Sequence, residues 1–441
     1  MKLTNDQQNT IDNFNDFLAT PEEKYMIIQG NSGSGKSTLI KPLVDIAYKH
    51  LEMNQIICKT KTGSIDAPLL AATTNPAVAV LKNLTSYDAA TIHSILGLTI
   101  KNDYNTGEKH LVLKKDAELI RNRLLIIDEA SMINEELFGF IDNRTKQCKI
   151  ILIGDKYQLA PVNQTTTVME TLACRTSVMT EIMRNKGVIQ QTGTRYRHTV
   201  ETGIFHPIEP DNVNMHQLSG KEFQQEIDKA FGSNDYQPSN AKVIAWTNAK
   251  VQEYNTYIRK LRGVPETLQI NEIVVTNKPL VHRKQSYKSI DSTAQITIIS
   301  AEYVGDYGVF GRSIKLDNYV EGFQPTSSEA EKNVLKTLAK KKSWREYFAV
   351  KDSWLDLRLP YASTCHKSQG HTYDKVFIDL ADMSKCRIAS DVARLLYVSI
   401  TRAKSQVYLY GQLPSKYCGS PRQENLEKIV KLGNLFFRKE K

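Results

Sequence analysis

The chain has 441 residues, 41% of them hydrophobic and 24% charged, and a net charge of +10. At roughly 100–200 residues per domain it holds two to four domains with real cores, and its ordinary composition excludes a disordered or fibrous class. No apolar run nears the ~18 residues of a membrane span, and the basic excess points to a polyanionic partner, nucleic acid first, against the alternative of a merely basic surface.

In chain order, apolar runs at Tyr25–Gln29, Pro68–Thr73, Arg123–Ile127 and Lys149–Ile153 read as buried strands of a parallel sheet. Helical stretches, Lys36–Leu51 and Asn75–Leu84 among them, separate these strands. That alternation predicts a doubly wound α/β domain. Within it, Gly97–Lys115 carries two β-like runs around an Asn-Thr-Gly turn, which predicts a projecting hairpin. The α/β pattern returns at Lys242–Trp246, Lys375–Leu380 and Gln406–Tyr410 as a second α/β domain. Roughly Gly263–Leu359 interrupts it with β-rich pieces (Glu272–Thr276, Gln295–Tyr303, Ser313–Leu316) and then a charged helix near Ser328–Phe348. This segment reads as a small β-dominated insertion. The cysteines Cys58, Cys148, Cys174, Cys365, Cys386 and Cys418 form no C-x-x-C pair, so neither a zinc set nor a disulfide framework is expected. The polar N-terminus lacks a signal peptide's apolar stretch, which makes the cytoplasm the expected compartment.

The first strand runs into Gly30–Ser37, GNSGSGKS, which fits G-x-x-x-x-G-K-[ST]. Glycines let backbone N–H groups close on phosphate oxygens, and the following helix aims its N-terminus at the anion. Lys36 should reach the β and γ phosphates of ATP and Ser37 should ligate Mg²⁺. Gly30, Asn31, Ser32, Gly33, Ser34, Gly35 and Thr38 make up the rest of the cradle. A Gly/Ser-rich turn is the alternative, weakened by the strand–loop–helix setting. Leu124–Ser131, LLIIDEAS, is an apolar strand ending in two acids, with Asp128 suited to Mg²⁺ and Glu129 to polarising the attacking water. The strand at Lys149 ends in GDKYQLAPV, where the Gln158 amide can sense the γ-phosphate or form only a turn before a proline stop.

The series GNSGSGKS, DEAS and GDKYQLAPV resembles motifs I, II and III of superfamily 1 helicases. Others follow in family order. LTNDQ at Leu3–Gln7 resembles the Q motif, AATTNPA at Ala71–Ala77 motif Ia, and TIHS at Thr91–Ser94 an element of the RecD- and Dda-like branch, superfamily 1B. MTEIMR at Met179–Arg184 resembles motif IV, ASTCHKSQG at Ala362–Gly370 motif V, and LYVSITRAK at Leu396–Lys404 motif VI. The ordered set is far more specific than any member.

The resemblance implies an α/β fold of two RecA-like P-loop domains with ATP in the cleft between them. Residues 1–96 and 119–177 would form domain 1A, with a 1B pin hairpin at 97–118. Residues 178–262 and 360–441 would form domain 2A, with an SH3-like 2B insertion and helix at 263–359. It implies Gln7 on adenine, and Arg184 and Arg402 reaching the γ-phosphate from the second domain as arginine fingers. Gln369 and Gly370 would border the cleft. Thr74, His93, Asn248, Thr364 and His366 would line a groove for single-stranded DNA, using contacts that accept any sequence. Leu98 and Tyr104 are candidates for the pin's apolar contacts, or equally for docking the hairpin, and His93 also reads as a helix-packing histidine. Lys336, Lys340, Lys341, Lys342 and Arg345 read as DNA contacts or as a solvated helix face. Two departures stand out: Asn271 sits where Gly is common, and Ser399 where Gly or Ala is usual.

The implied activity is an ATP- and Mg²⁺-dependent DNA helicase. It would move 5′ to 3′ on single-stranded DNA and unwind duplex at single-strand/double-strand junctions, in replication, recombination or repair. An RNA helicase or remodeller, and an ATPase switch without unwinding, stay open. Expected partners are single-strand-binding or replication proteins, with no membrane; a monomer is the expected state. The minimal domain set is similar to phage-encoded helicases, which would place it in host cytoplasm. The 37 residues after Lys404 carry no acidic metal cluster, which argues against a fused nuclease.

Overall fold

Strand Tyr25–Gly30 is buried along almost its whole length, because helices cover both faces of its sheet. Met26 and Ile28 face one core with Leu70, Ile126 and Ile153; Ile27 faces the other with Ala71, Leu125 and Leu152. Each fully buried aliphatic side chain contributes about 1.5–3 kcal/mol. The computed structural model describes residues 3–58, 66–161, 167–184, 186–278, 280–281, 287–288, 293–317 and 320–419, with side chains left undescribed in a few of these.

Among the described residues the first sheet orders its strands Arg175–Met179, Tyr25–Gly30, Lys149–Gly154, Arg123–Asp128, Asp66–Ala72 and Ala89–Thr91, all parallel. Its helices start on built caps. Thr4 and Gln7 form a capping box on Asn5–Ala19, and Thr74 accepts from the Ala77 N–H at the head of Asn75–Thr85. The second sheet is also parallel, in the order Met215–Leu218, Ala403–Tyr410, Tyr373–Asp379, Ala241–Ala245, Ala362–Thr364. Helices Gly187–Thr202 and Ala389–Thr401 pack against each other beside it, close enough that a Cβ on Gly193 would lie 3.0 Å from Thr401.

Two insertions leave these bodies. Leu98–Asn102 pairs antiparallel with Lys109–Leu113 as a hairpin. An antiparallel sheet built on Ile273–Thr276, Thr293–Ile299, Phe310–Leu316 and Glu321–Pro325 carries its own core of Val274, Ile296, Ile314 and Leu316. The hairpin rests on this second insertion. Lys109 pairs with Asp352 at 2.8 Å, Asn102 donates to the same carboxylate at 2.9 Å, and the Tyr104 ring meets Phe348 edge-on at 5.9 Å.

Several expectations need correction. The charged helix is two helices, Ser328–Lys340 and Trp344–Ser353. Lys342 adopts φ 54° and the Ser343 N–H turns back to Leu338 O, which ends the first helix and folds the second onto it. Leu338, Val350 and Trp354 then share a small core. The run Gln295–Tyr303 is split into Thr293–Ile299 and Tyr303–Val304. The helix after the P-loop continues to Cys58. Residues 178 and 179, placed in the second domain, lie on the edge strand of the first sheet. Much of 282–292, within the β-dominated insertion, lies outside the described residues. Asn271 takes φ 68°, a left-handed conformation that Asn tolerates better than most residues, so it can stand where Gly is common. No helix among the described residues is long and apolar enough to cross a membrane.

Candidate active site

The loop after Tyr25–Gly30 needs its glycines. Gly33 and Gly35 both sit at φ 83°, and a Cβ on Gly30 would come within 2.5 Å of Ser34 Oγ. Lys36 is partly buried and donates to the carbonyls of Gly30 and Asn31 at 2.6 and 3.0 Å. Burial pulls its pKa below the ordinary value, while Asp155, Glu129 and Asp128 oppose that shift. Thr38 lies exposed in the same first helical turn. Gln7 lies against the loop: its amide nitrogen is 2.6 Å from where a Gly35 Cβ would be, while its carbonyl accepts from Thr4.

Ser37 Oγ donates to Asp128 Oδ2 at 3.1 Å. Burial, and then the neighbouring charge of Glu129, push the Asp128 pKa up to about 6. Glu129 holds a left-handed backbone (φ 53°) at the turn after the strand, a strained conformation for a non-glycine residue. A Cβ on Gly370 would lie 3.7 Å from the Glu129 carboxylate, so the Gln369–Gly370 turn borders that acid.

Arg402 closes the site from the second body. It donates to Ser32 Oγ at 2.8 Å, and to the Val398 and His371 carbonyls at 3.2 Å each. Arg184 arrives differently than expected. It follows the first sheet's edge strand, and its own N–H and that of Met183 donate to Gly33 O at 3.2 and 2.8 Å. It is therefore tethered to the loop rather than carried in by the second sheet. Burial, then the Arg402 charge, lower its pKa to about 10.

The residues fit a magnesium nucleotide. Ser34 Oγ, Gln158 Oε1 and both amide atoms of Gln369 are buried without a hydrogen-bond partner, an arrangement that natural structures rarely leave unfilled. Among the described residues no cluster of three or more His, Cys, Asp or Glu could hold a metal by itself. Ser37 with one carboxylate matches Mg²⁺, which takes few protein ligands beside phosphate oxygens and water.

The other predicted contacts also sit where strands end. Thr74 follows Asp66–Ala72, His93 follows Ala89–Thr91, Asn248 follows Ala241–Ala245, and Thr364 closes Ala362–Thr364. Asn248 is exposed and accepts from Arg358 at 3.1 Å. Thr364 is buried. Burial lowers the pKa of both His93 and His366. Leu98 is not on the hairpin's outer face: it is 5% exposed, inside the core under the first sheet. Tyr104 is 56% exposed, with one edge toward Phe348. Lys336, Lys340, Lys341, Lys342 and Arg345 are all exposed.

Sequence reading missed four residues. Tyr397 contacts both Ser32 and Asp155. Arg394 donates to the carbonyls of Lys156 and Gln158. The Trp246 ring lies 5.6 Å from that of His366. Tyr397 and Asp155 stand inside quoted motifs, but no local pattern tells which partner a buried phenol meets.

Comparison with known proteins finds similarity at the level of domains and the whole chain. Residues 17–164 match a family model described as an AAA domain, and 359–410 match a UvrD-like helicase C-terminal domain. The ATP-dependent DNA helicase dda of Enterobacteria phage T4 is 27% identical over 92% of this chain and 98% of its own. The RecBCD enzyme subunit RecD of Haemophilus influenzae is 28% identical over 31% of this chain and 22% of its own. A Pif1 helicase from Bacteroides, crystallised with ADP-AlF3 and ssDNA, superposes with a TM-score of 0.52 at 16% identity, covering 98% of each chain. Pif1 from Candida albicans gives 0.50 at 15% identity, covering 98% of this chain and 100% of its own. The chain is related to superfamily 1 DNA helicases and has their α/β P-loop NTPase fold.

Proposed function

We propose that this protein is an ATP-driven DNA helicase of the superfamily 1B kind, moving 5′ to 3′ on single-stranded DNA and separating duplex ahead of it. The observation that carries the reading is the double hold on Ser32. Arg402 bonds its hydroxyl and Tyr397 receives its N–H, both from the helix that ends the second body's cleft wall. A phosphate loop touched by a cation from another body makes hydrolysis depend on how the two bodies sit. That is the requirement of a motor.

Bound Mg²⁺ supplies charge stabilisation at the transferring phosphate, held by Ser37 and Asp128. Lys36 neutralises phosphate charge, Glu129 orients and deprotonates water, and Gln158 reads the γ-phosphate. Arg402 and the loop-tethered Arg184 stabilise developing charge. Gln7 holds adenine. Thr74, His93, Asn248, Thr364 and His366 track the DNA backbone, with Trp246 beside His366 as a stacking face. The hairpin serves as the pin that parts the strands, and the SH3-like insertion braces it through Asp352 and Phe348. The working unit is a monomer that meets single-strand-binding or replication proteins at DNA junctions.

Unwinding of 5′-tailed against 3′-tailed DNA duplexes tests the reading. Separation of the 5′-tailed substrate alone is expected. Preference for the 3′ tail overturns the polarity. Stimulation of ATP hydrolysis by RNA above DNA overturns the substrate, and robust stimulated hydrolysis with no strand separation leaves a switch instead of a helicase.

A further inference from the structure

Helix Ala389–Thr401 touches the first body at three points, and they share a purpose. Arg394 grips the Lys156 and Gln158 carbonyls. Arg402, at the helix C-cap, holds Ser32 Oγ at 2.8 Å. Between them, the Tyr397 hydroxyl accepts from the Ser32 N–H at 2.9 Å and donates to Asp155 Oδ2 at 2.6 Å. Tyr397 and Asp155 are both buried, so neither bond is traded against water.

Asp155 Oδ2 has a second suitor. Gln158 Nε2 points to the same oxygen at the long distance of 3.4 Å, while Gln158 Oε1 has no partner. The other carboxylate oxygen accepts from the Tyr157 N–H at 3.1 Å. The amide proposed to read the γ-phosphate and the phenol on the arginine-bearing helix therefore share one acceptor. When Gln158 turns toward a phosphate, Oδ2 is left to Tyr397. Asp155 is also the foremost favourable charge on Lys36.

We propose that Tyr397 is a positioning residue for ATP hydrolysis, linking Gln158 through Asp155 to the placement of Arg402 against the phosphate loop. This rests on the ATPase reading given above. Tyr397 touches no reacting atom in this assignment. It sets where the helix end sits, and misplacing a group by about an ångström can cost about a hundredfold in rate.

The test compares wild type with Tyr397→Phe, Asp155→Asn and the double variant. Tyr196→Phe serves as a control, since Tyr196 is another buried tyrosine whose hydroxyl has no hydrogen-bond partner. Two readouts are taken: hydrolysis with saturating single-stranded DNA, and amide hydrogen exchange of the peptide covering Ser32 in nucleotide-free protein. Tyr397→Phe should lower kcat about 10- to 100-fold, with KM for ATP within about threefold of wild type. It should speed exchange at Ser32, and the double variant should be no slower than the slower single one. Tyr196→Phe should change neither readout. A kcat for Tyr397→Phe within about twofold of wild type, unchanged Ser32 exchange, or fully additive losses in the double variant overturns the proposal. If wild type itself shows no hydrolysis, the ATPase reading fails, and the exchange arm still decides whether the Tyr397 link to the loop exists.

Discussion

At the carboxyl end of Ala241–Ala245, in the second sheet, Asp382 accepts from the N–H groups of Trp246 and Thr247 at 2.9 and 2.7 Å, and from the Thr247 hydroxyl at 2.9 Å. One strand over, Asp379 accepts from Tyr254 at 2.7 Å and from the Asp382 N–H at 2.8 Å. At the carboxyl ends of the first sheet the same architecture leaves Ser34 Oγ and Gln158 Oε1 buried and unpartnered. Both sheets are parallel and covered by helices, yet the ends of these two second-sheet strands close their polar groups internally, while the first-sheet ends, with the orphaned Gln369 amide of the second body beside them, keep polar atoms open. The difference marks where a polar ligand belongs: an orphaned buried group costs about 1–3 kcal/mol, so a fold keeps several in one place only where something else satisfies them.

Substitutions can break that contrast, starting where the largest effect is expected. Lys36→Ala should cut nucleic-acid-stimulated ATP hydrolysis by about a thousandfold or more, because it removes the cation that the helix after the loop aims at the phosphates. Steady-state hydrolysis is the check, and substantial residual turnover would remove Lys36 from the chemistry. Arg402→Ala should lower kcat by about a thousandfold while sparing ATP affinity. Separate measurements of turnover and nucleotide binding decide this. Loss of DNA affinity alone would mean that the arginine serves the groove instead. Glu129→Gln should bind ATP normally and turn over about 100- to 1,000-fold more slowly, measured by single-turnover kinetics.

The second sheet should answer in a different currency. Asp382→Ala strands the Trp246 and Thr247 N–H groups and should cost about 2 kcal/mol of stability. Denaturant unfolding measures this, and KM for ATP should stay unchanged. The smallest effect concerns Lys242, buried in the same sheet, donating to the Pro360 carbonyl and pushed down by burial to about 8. Below pH 8 the amine is charged folded and unfolded alike, so the burial penalty is constant. Between pH 8 and its ordinary value the unfolded chain binds more protons than the folded one, so stability rises with pH there. The melting temperature of wild type should therefore gain on that of Lys242→Met as pH goes from 8 to 10. No relative gain would mean that the folded amine keeps its charge across this range, as a solvated amine does.

Much of this molecule was legible in one dimension. Strands buried on both faces must be apolar at nearly every position, so LLIID and KIILIG announce themselves, and the structure moves their ends by only a residue or so. GNSGSGKS was legible because phosphate binding is done by a short contiguous backbone whose glycines cannot be replaced. Where geometry was set by a single unusual residue the reading failed. Nothing in the charged run Ser328–Phe348 flagged Lys342, a non-glycine in the left-handed region, as the point where one helix becomes two.

The phosphate loop, the acids after LLII and the two α/β bodies were determined by the sequence itself, since local backbone needs and alternating burial write directly into residue order. Tertiary structure alone decided that Leu98 is core, that Arg184 is fastened to Gly33, and that Tyr397 meets Ser32 across 365 residues of chain. Such contacts depend on how separately folded bodies are placed against each other, and a hydrogen bond between distant segments leaves no periodicity in either one.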